Sequence, residues 1–125
     1  MRNTFLFTKT YIDAEKFLEG TGNAYKYVGQ RPFLDKSGKI GMDGVIVTLL
    51  ILDDKTDYGV DKRTGKPRES NALETFEATI LTGETTIDLT KGDLVSLQDF
   101  DMANSYVIGF DLIMRFRGIK KIKEG

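Results

Sequence analysis

Lys62, Arg63, Lys66 and Arg68 crowd into the stretch DKTDYGVDKRTGKPRES (54–70), with Tyr58 just upstream. Cations at this density can neutralise the phosphates of a polynucleotide, and a tyrosine among them can offer a flat face to a base. Single strands are bound by that combination. The plainer alternative is a solvated hairpin tip, because Asp53, Asp54, Asp57, Asp61 and Glu69 partly cancel the charge. A second cluster interleaves Tyr25, Tyr27 and Phe33 with Lys26, Arg31, Lys36 and Lys39. Here the plain reading is that Phe33 and one tyrosine belong to the core. The third cluster is the tail, where Arg115 and Arg117 flank Phe116 and Lys120, Lys121 and Lys123 follow. In a strand the two arginines share one face and Phe116 takes the other, so a core phenylalanine beneath a basic ridge is expected.

Other chemistries are poorly supplied. The chain has no histidine and no cysteine, which removes the usual general base, the usual zinc ligands and all thiolate chemistry. GVDKRTGKP resembles a phosphate-binding P-loop, but five residues separate Gly59 from Gly65 where four are needed, and Pro67 follows Lys66 in place of a hydroxyl residue. The pairs Asp53–Asp54 and Asp99–Asp101 could hold Mg²⁺, yet aspartates gather at strand ends because they stabilise turns. The expectation is a binding protein and not an enzyme, with no metal and no cofactor.

The elements that must position these groups are short strands. A length of 125 residues suits one domain with one core. Lys and Arg number 18 against 19 Asp and Glu, but they are segregated. The stretch 84–111 carries Glu84, Asp88, Asp93, Asp99, Asp101 and Asp111 against Lys91, whereas 115–125 is basic. A basic face is therefore compatible with an acidic isoelectric point. Lys9, Asp13 and Glu15 interrupt any signal-peptide core, and the apolar run VIVTLLIL (45–52) is far shorter than the roughly 20 residues of a membrane span. A soluble, cytoplasmic protein with no membrane partner is expected.

AYKYVG alternates, with Tyr25 and Tyr27 on one face. GVIVTLLILDD is nearly continuous and β-branched, as in a central strand that is buried on both sides or curled around a core. In NALETFEATIL the better core face is Glu74, Phe76, Ala78 and Ile80. KGDLVSLQDF opens on a turn, and SYVIGFDLIMRFRGIKKI reads as one long strand in which Gly109 marks a bulge or change of direction. Only DAEKFLEG looks helical, with Asp13 as N-cap and Gly20 as stop. Five strands without alternating helices predict a mainly all-β fold, a small five-stranded OB-like barrel with one short N-terminal helix. Residues 1–125 form one domain in this reading, with 1–22 as an N-terminal extension and 23–122 as the barrel.

The order YVGQRPFLDKSGKIGMDGVIVTLLILDD, a basic loop, LETFEATILTGE, LTKGDLVSLQDF and YVIGFDLIMRFRGIKKI resembles the bacterial and phage single-stranded DNA-binding proteins over about residues 25–122. The resemblance implies an OB barrel, a long DNA-contacting hairpin loop after the second strand, and a role in replication, recombination or transfer of phage or mobile-element DNA. The chain departs from that family where TGETTIDLTKG replaces a helix between the third and fourth strands, and where it ends in KKIKEG and not in an acidic tail. On this reading the partner is single-stranded nucleic acid, DNA in preference to RNA. Its contacts are Tyr25, Tyr27, Arg31, Lys36, Lys39, Tyr58, Lys62, Arg63, Lys66, Arg68, Arg115 and Arg117. The alternative is a protein-interaction or phage structural module on the same barrel whose basic tail meets an acidic partner, which could be the acidic stretch 84–111 of a neighbouring copy in a homo-oligomer.

Overall fold

The computed structural model describes residues 12–56, 59–60, 63–66, 70–108 and 111–122. Among the described residues one helix, α1 (Ala14–Thr21), precedes six strands: β1 (Tyr25–Phe33), β2 (Gly44–Ile51), β3 (Thr75–Ile80), β4 (Leu94–Phe100), β5 (Tyr106–Ile108) and β6 (Asp111–Lys121). β1 pairs antiparallel with β2 and β4, β2 with β3, and β4 with β6, while β3 and β6 pair in parallel. The sheet therefore closes on itself through β1, β2, β3, β6 and β4, and β5 adds to the outside of β6. The architecture is the all-β one expected, with six strands in place of five. The long C-terminal strand of the sequence reading is in fact a hairpin: Tyr106 pairs with Ile113 and Ile108 with Asp111, so the chain reverses between Ile108 and Asp111; Gly109, where a bulge or bend was expected, lies outside the described residues.

Alternation decides the inside of the ring. Val45, Val47, Leu49 and Ile51 of β2, Phe76, Ala78 and Ile80 of β3, Val95 and Leu97 of β4, and Leu112, Met114 and Phe116 of β6 are buried in one cluster. Each set lies two residues apart, the period that sends side chains to one face of a strand. β2 is thus buried on one face and curled around the core, the second of the two arrangements its composition allows.

Asp13 caps α1 as expected, its carboxylate accepting from the Lys16 N–H at 3.1 Å. The helix stops at Gly22 and not at Gly20. Gly22 takes the left-handed conformation (φ 72°) that lets its N–H reach the carbonyls of Leu18 and Glu19. Gly20 stays helical, and its missing side chain leaves room for Thr56, which a Cβ there would strike. α1 is more than an extension. Phe17 joins the barrel core, with ring centroids 5.1 Å from Phe76 and 6.2 Å from Tyr25. Asn23 then links β1 to β4, giving its amide to the Leu97 carbonyl at 2.9 Å and accepting the Leu97 N–H at 2.8 Å.

The connection from β3 to β4 contains no helix. It is pinned by Gln30, whose amide donates to the Ile87 carbonyl (2.7 Å) and accepts the Ile87 N–H (2.9 Å), so that Ile87 and Leu89 pack against the core.

Candidate nucleic-acid interface

One local irregularity decides which side chains of β1 face outward. Tyr25 opposes Ile51 and Tyr27 opposes Leu49, but the pairing then slips, and Gly29 opposes Thr48. Val28 is the extra residue of a β-bulge. One inserted residue reverses the phase of everything after it. Without it, Arg31 and Phe33 would follow Tyr25 and Tyr27 into the core. With it, Arg31 stands beside the outward-facing Ile46.

Beyond the bulge the outer face forms a row across four strands. Arg31 opposes Ile46, Ile46 opposes Thr79, and Thr79 aligns with Arg115. Around this row lies a trough of about 510 Å³ lined by Arg31, Phe33, Thr75, Glu77, Tyr106 and Arg115, among others. The β5–β6 hairpin supplies one side of it. The Arg115 guanidinium lies 5.2 Å from the Phe33 ring centre and 5.3 Å from that of Tyr106. These distances permit cation–π attraction, worth about 0.5–1 kcal/mol at an exposed site. Arg115 also donates through Nη1 to the Asn104 carbonyl at 2.7 Å, while its buried Nε has no acceptor. Its backbone N–H donates to Ser105 Oγ at 2.9 Å, and the Asp101 N–H reaches the Arg115 carbonyl at 2.8 Å. The turn that carries Tyr106 is thereby fastened to the strand that carries Arg115.

Arg31 lies against Glu77, with Nη2 to Oε2 at 3.0 Å and both side chains more than half exposed. An exposed pair of this kind contributes at most about 1 kcal/mol to stability, so both groups stay available to a ligand. Arg117, two residues beyond Arg115, donates to Asp101 Oδ2 at 2.7 Å and contacts Met42 Sδ at 3.6 Å. Donation from the Asn104 side chain, aided by the Asn104 N–H and the Arg117 charge, holds the Asp101 carboxyl below the usual aspartate range although burial opposes the shift.

Lys36 and Lys39 are exposed on the loop that leaves Phe33. Asp35 organises that loop: its carboxylate accepts from the N–H groups of Ile40 (3.0 Å) and Gly41 (2.7 Å) and from Ser37 Oγ (3.0 Å). Desolvation works to raise the Asp35 pKa, but these donations outweigh it and leave the carboxyl below its ordinary value.

The structure corrects two of the expected contacts. Tyr25 is wholly buried and Tyr27 is 5% exposed, so neither ring can stack on a base. The Tyr25 hydroxyl lies 2.6 Å from Thr21 Oγ1, and burial pushes its pKa well above the ordinary value. Tyr27 Oη accepts from Gln30 Nε2 at 2.8 Å. Arg31 and Arg115 are brought together in the trough, but Arg117 is engaged by Asp101. Arg63 and Lys66 are exposed on the loop between β2 and β3 and do not line the trough. Tyr58, Lys62 and Arg68 lie outside the described residues.

Tyr106 and Glu77 were not singled out from the sequence. Tyr106 had a local signal, since a glycine between two strand-like runs marks a hairpin as readily as a bulge. The carboxylate pairs suspected of metal binding build turns. Asp54 accepts the N–H groups of Thr56 (3.1 Å) and Asn71 (2.8 Å), and Asp101 accepts the Asn104 amide (2.8 Å). Among the described residues no helix is long and apolar enough to cross a membrane. Comparisons with protein-family models, curated proteins and solved structures find no match.

Proposed function

We propose that this chain is a single-stranded DNA-binding protein that serves replication, recombination or transfer of phage or mobile-element DNA, and that the trough is its binding surface. The observation that carries the reading is the grouping of Arg115 with Phe33 and Tyr106 beside the row Arg31–Ile46–Thr79. OB-like barrels bind oligonucleotides on the face of their second and third strands and the neighbouring loops, and the lining of this trough includes Ile46 of β2 and Thr75, Glu77 and Thr79 of β3. Rings at the trough stack bases, Arg115 meets a phosphate, and Lys36 and Lys39 extend the charge along the first loop. No catalytic step and no cofactor enters this reading.

The test is fluorescence anisotropy with a labelled mixed-sequence DNA strand of about twelve nucleotides, a length suited to one OB-like unit. With about three phosphates neutralised, a fourfold rise in salt is expected to weaken binding about twentyfold. No binding at micromolar protein and low salt would overturn the proposal.

A second reading, a protein-interaction module, has one observation in its favour. β5 is the outer edge of the sheet, and Tyr106, Val107 and Ile108 are 44%, 41% and 59% exposed. A bare apolar edge is a template for pairing with another chain. Light scattering after size exclusion separates the two: self-association without DNA affinity supports this reading.

A further inference from the structure

We infer that the Arg31–Glu77 pair gives the trough a base preference, favouring cytosine over thymine. The inference rests on the trough being a single-strand site, and it adds what that site selects.

A trough that bound only by charge would gain from cations throughout. This one places Glu77 on the outward face of β3, where its carboxylate repels phosphates. Thr48 of β2 stands opposite Glu77, and Arg31 reaches its Oε2 at 3.0 Å from two strands away. The result is a paired edge with a fork of donors on one side and a fork of acceptors on the other. Arg31 fixes one oxygen of the carboxylate, and a carboxylate has lone pairs enough to accept further bonds.

Such an edge matches a base whose own hydrogen-bonding edge is divided in the same way. Cytosine presents its N4 amino donor at one end, then the N3 and O2 acceptors; the carboxylate takes the amino group while the guanidinium serves both acceptors. Glutamate accepting from cytosine N4 is an established form of base recognition. Thymine alternates, with O4 an acceptor, N3–H a donor and O2 an acceptor. In either orientation one thymine oxygen is left against the Glu77 carboxylate. The two bases have the same ring size, so stacking on Phe33 or Tyr106 does not distinguish them.

The experiment compares oligo-dC with oligo-dT of equal length by fluorescence anisotropy at neutral pH and low salt, in the wild type and in Glu77→Gln. The wild type is expected to bind oligo-dC about fivefold more tightly, the effect of one mismatched edge at a partly exposed site. A glutamine can present either an acceptor or a donor, so Glu77→Gln should bring the ratio of the two affinities to about one. Because the variant also removes a negative charge, both affinities should rise; the ratio is the readout that a purely electrostatic or structural role would not move. A thermal melt confirms that the exposed substitution leaves the fold intact. Asp111→Asn, which removes another carboxylate lining the trough, should raise affinity and leave the ratio unchanged. Equal wild-type affinities, or a ratio unaltered by Glu77→Gln, would overturn the inference while the DNA-binding reading stands. Failure of both oligonucleotides and of the mixed sequence to bind would overturn that reading itself.

Discussion

Phe17, Tyr25 and Phe76 at one end of the barrel, and Phe33 and Tyr106 around Arg115 on its outer wall, are built from the same kinds of residue and meet opposite fates. The first three rings are 1%, 0% and 7% exposed, and Phe76 meets Phe17 and Tyr25 edge to face at 5.1 and 5.0 Å. The second group leaves Tyr106 44% exposed and holds a guanidinium against both rings. Tyr25 and Phe33 even share a strand. What separates them is the bulge at Val28, which turns the strand's inward face outward over one residue. On β1 an aromatic residue is therefore assigned to the core or to the outer wall by strand phase and not by its neighbours in sequence.

The sharpest way to break this contrast is to remove one ring from each group and measure both stability and binding. Phe17→Ala leaves a cavity between α1 and the barrel and should cost about 3–5 kcal/mol in urea denaturation, with no specific loss of DNA affinity under conditions where the variant is folded. Tyr106→Ala should do the reverse. Its anisotropy-measured affinity for the mixed-sequence strand should fall by about 1–3 kcal/mol, while stability changes by less than about 1 kcal/mol through the lost contact with Arg115. A large stability loss from Tyr106→Ala with unchanged binding would show that the outer rings are structural after all.

The smallest effect sharpens the contrast at the turn that supports Tyr106. The Asp101 carboxyl has a folded-state pKa below its unfolded value, which is about 3.9 for aspartate. Its contribution to stability is present above that unfolded value and is lost as the pH falls from there through the folded-state pKa. Acid titrations of the melting temperature should therefore show a shallower decline below about pH 4 for Asp101→Asn than for the wild type. An identical decline would mean that the turn is not held by this carboxylate.

Much of the fold was legible because its signals are local. The two-residue period of β3 named its buried face, Asp13 was readable as a cap, and the lack of a helix between β3 and β4 was evident in TGETTIDLTKG. The β5–β6 hairpin was missed because a glycine between two apolar runs fits both a bend and a reversal. The candidate site was less legible. Arg31 and Arg115 were recognised as cations, but the assignment of Tyr25 and Tyr27 as stacking residues failed, because alternation along β1 does not show where an extra residue interrupts it.

The sequence by itself determined an all-β domain, the inward residues of β3, and a chain without the side chains for thiol or imidazole chemistry, since each of these depends on composition or on neighbours a few positions apart. Only the tertiary structure decided that Arg31, Ile46, Thr79 and Arg115 form one row and that Phe33 and Tyr106 meet the same guanidinium. Those groups are brought together by pairing register and sheet closure. Both are set by the packing of the whole ring, which no single stretch of the chain encodes.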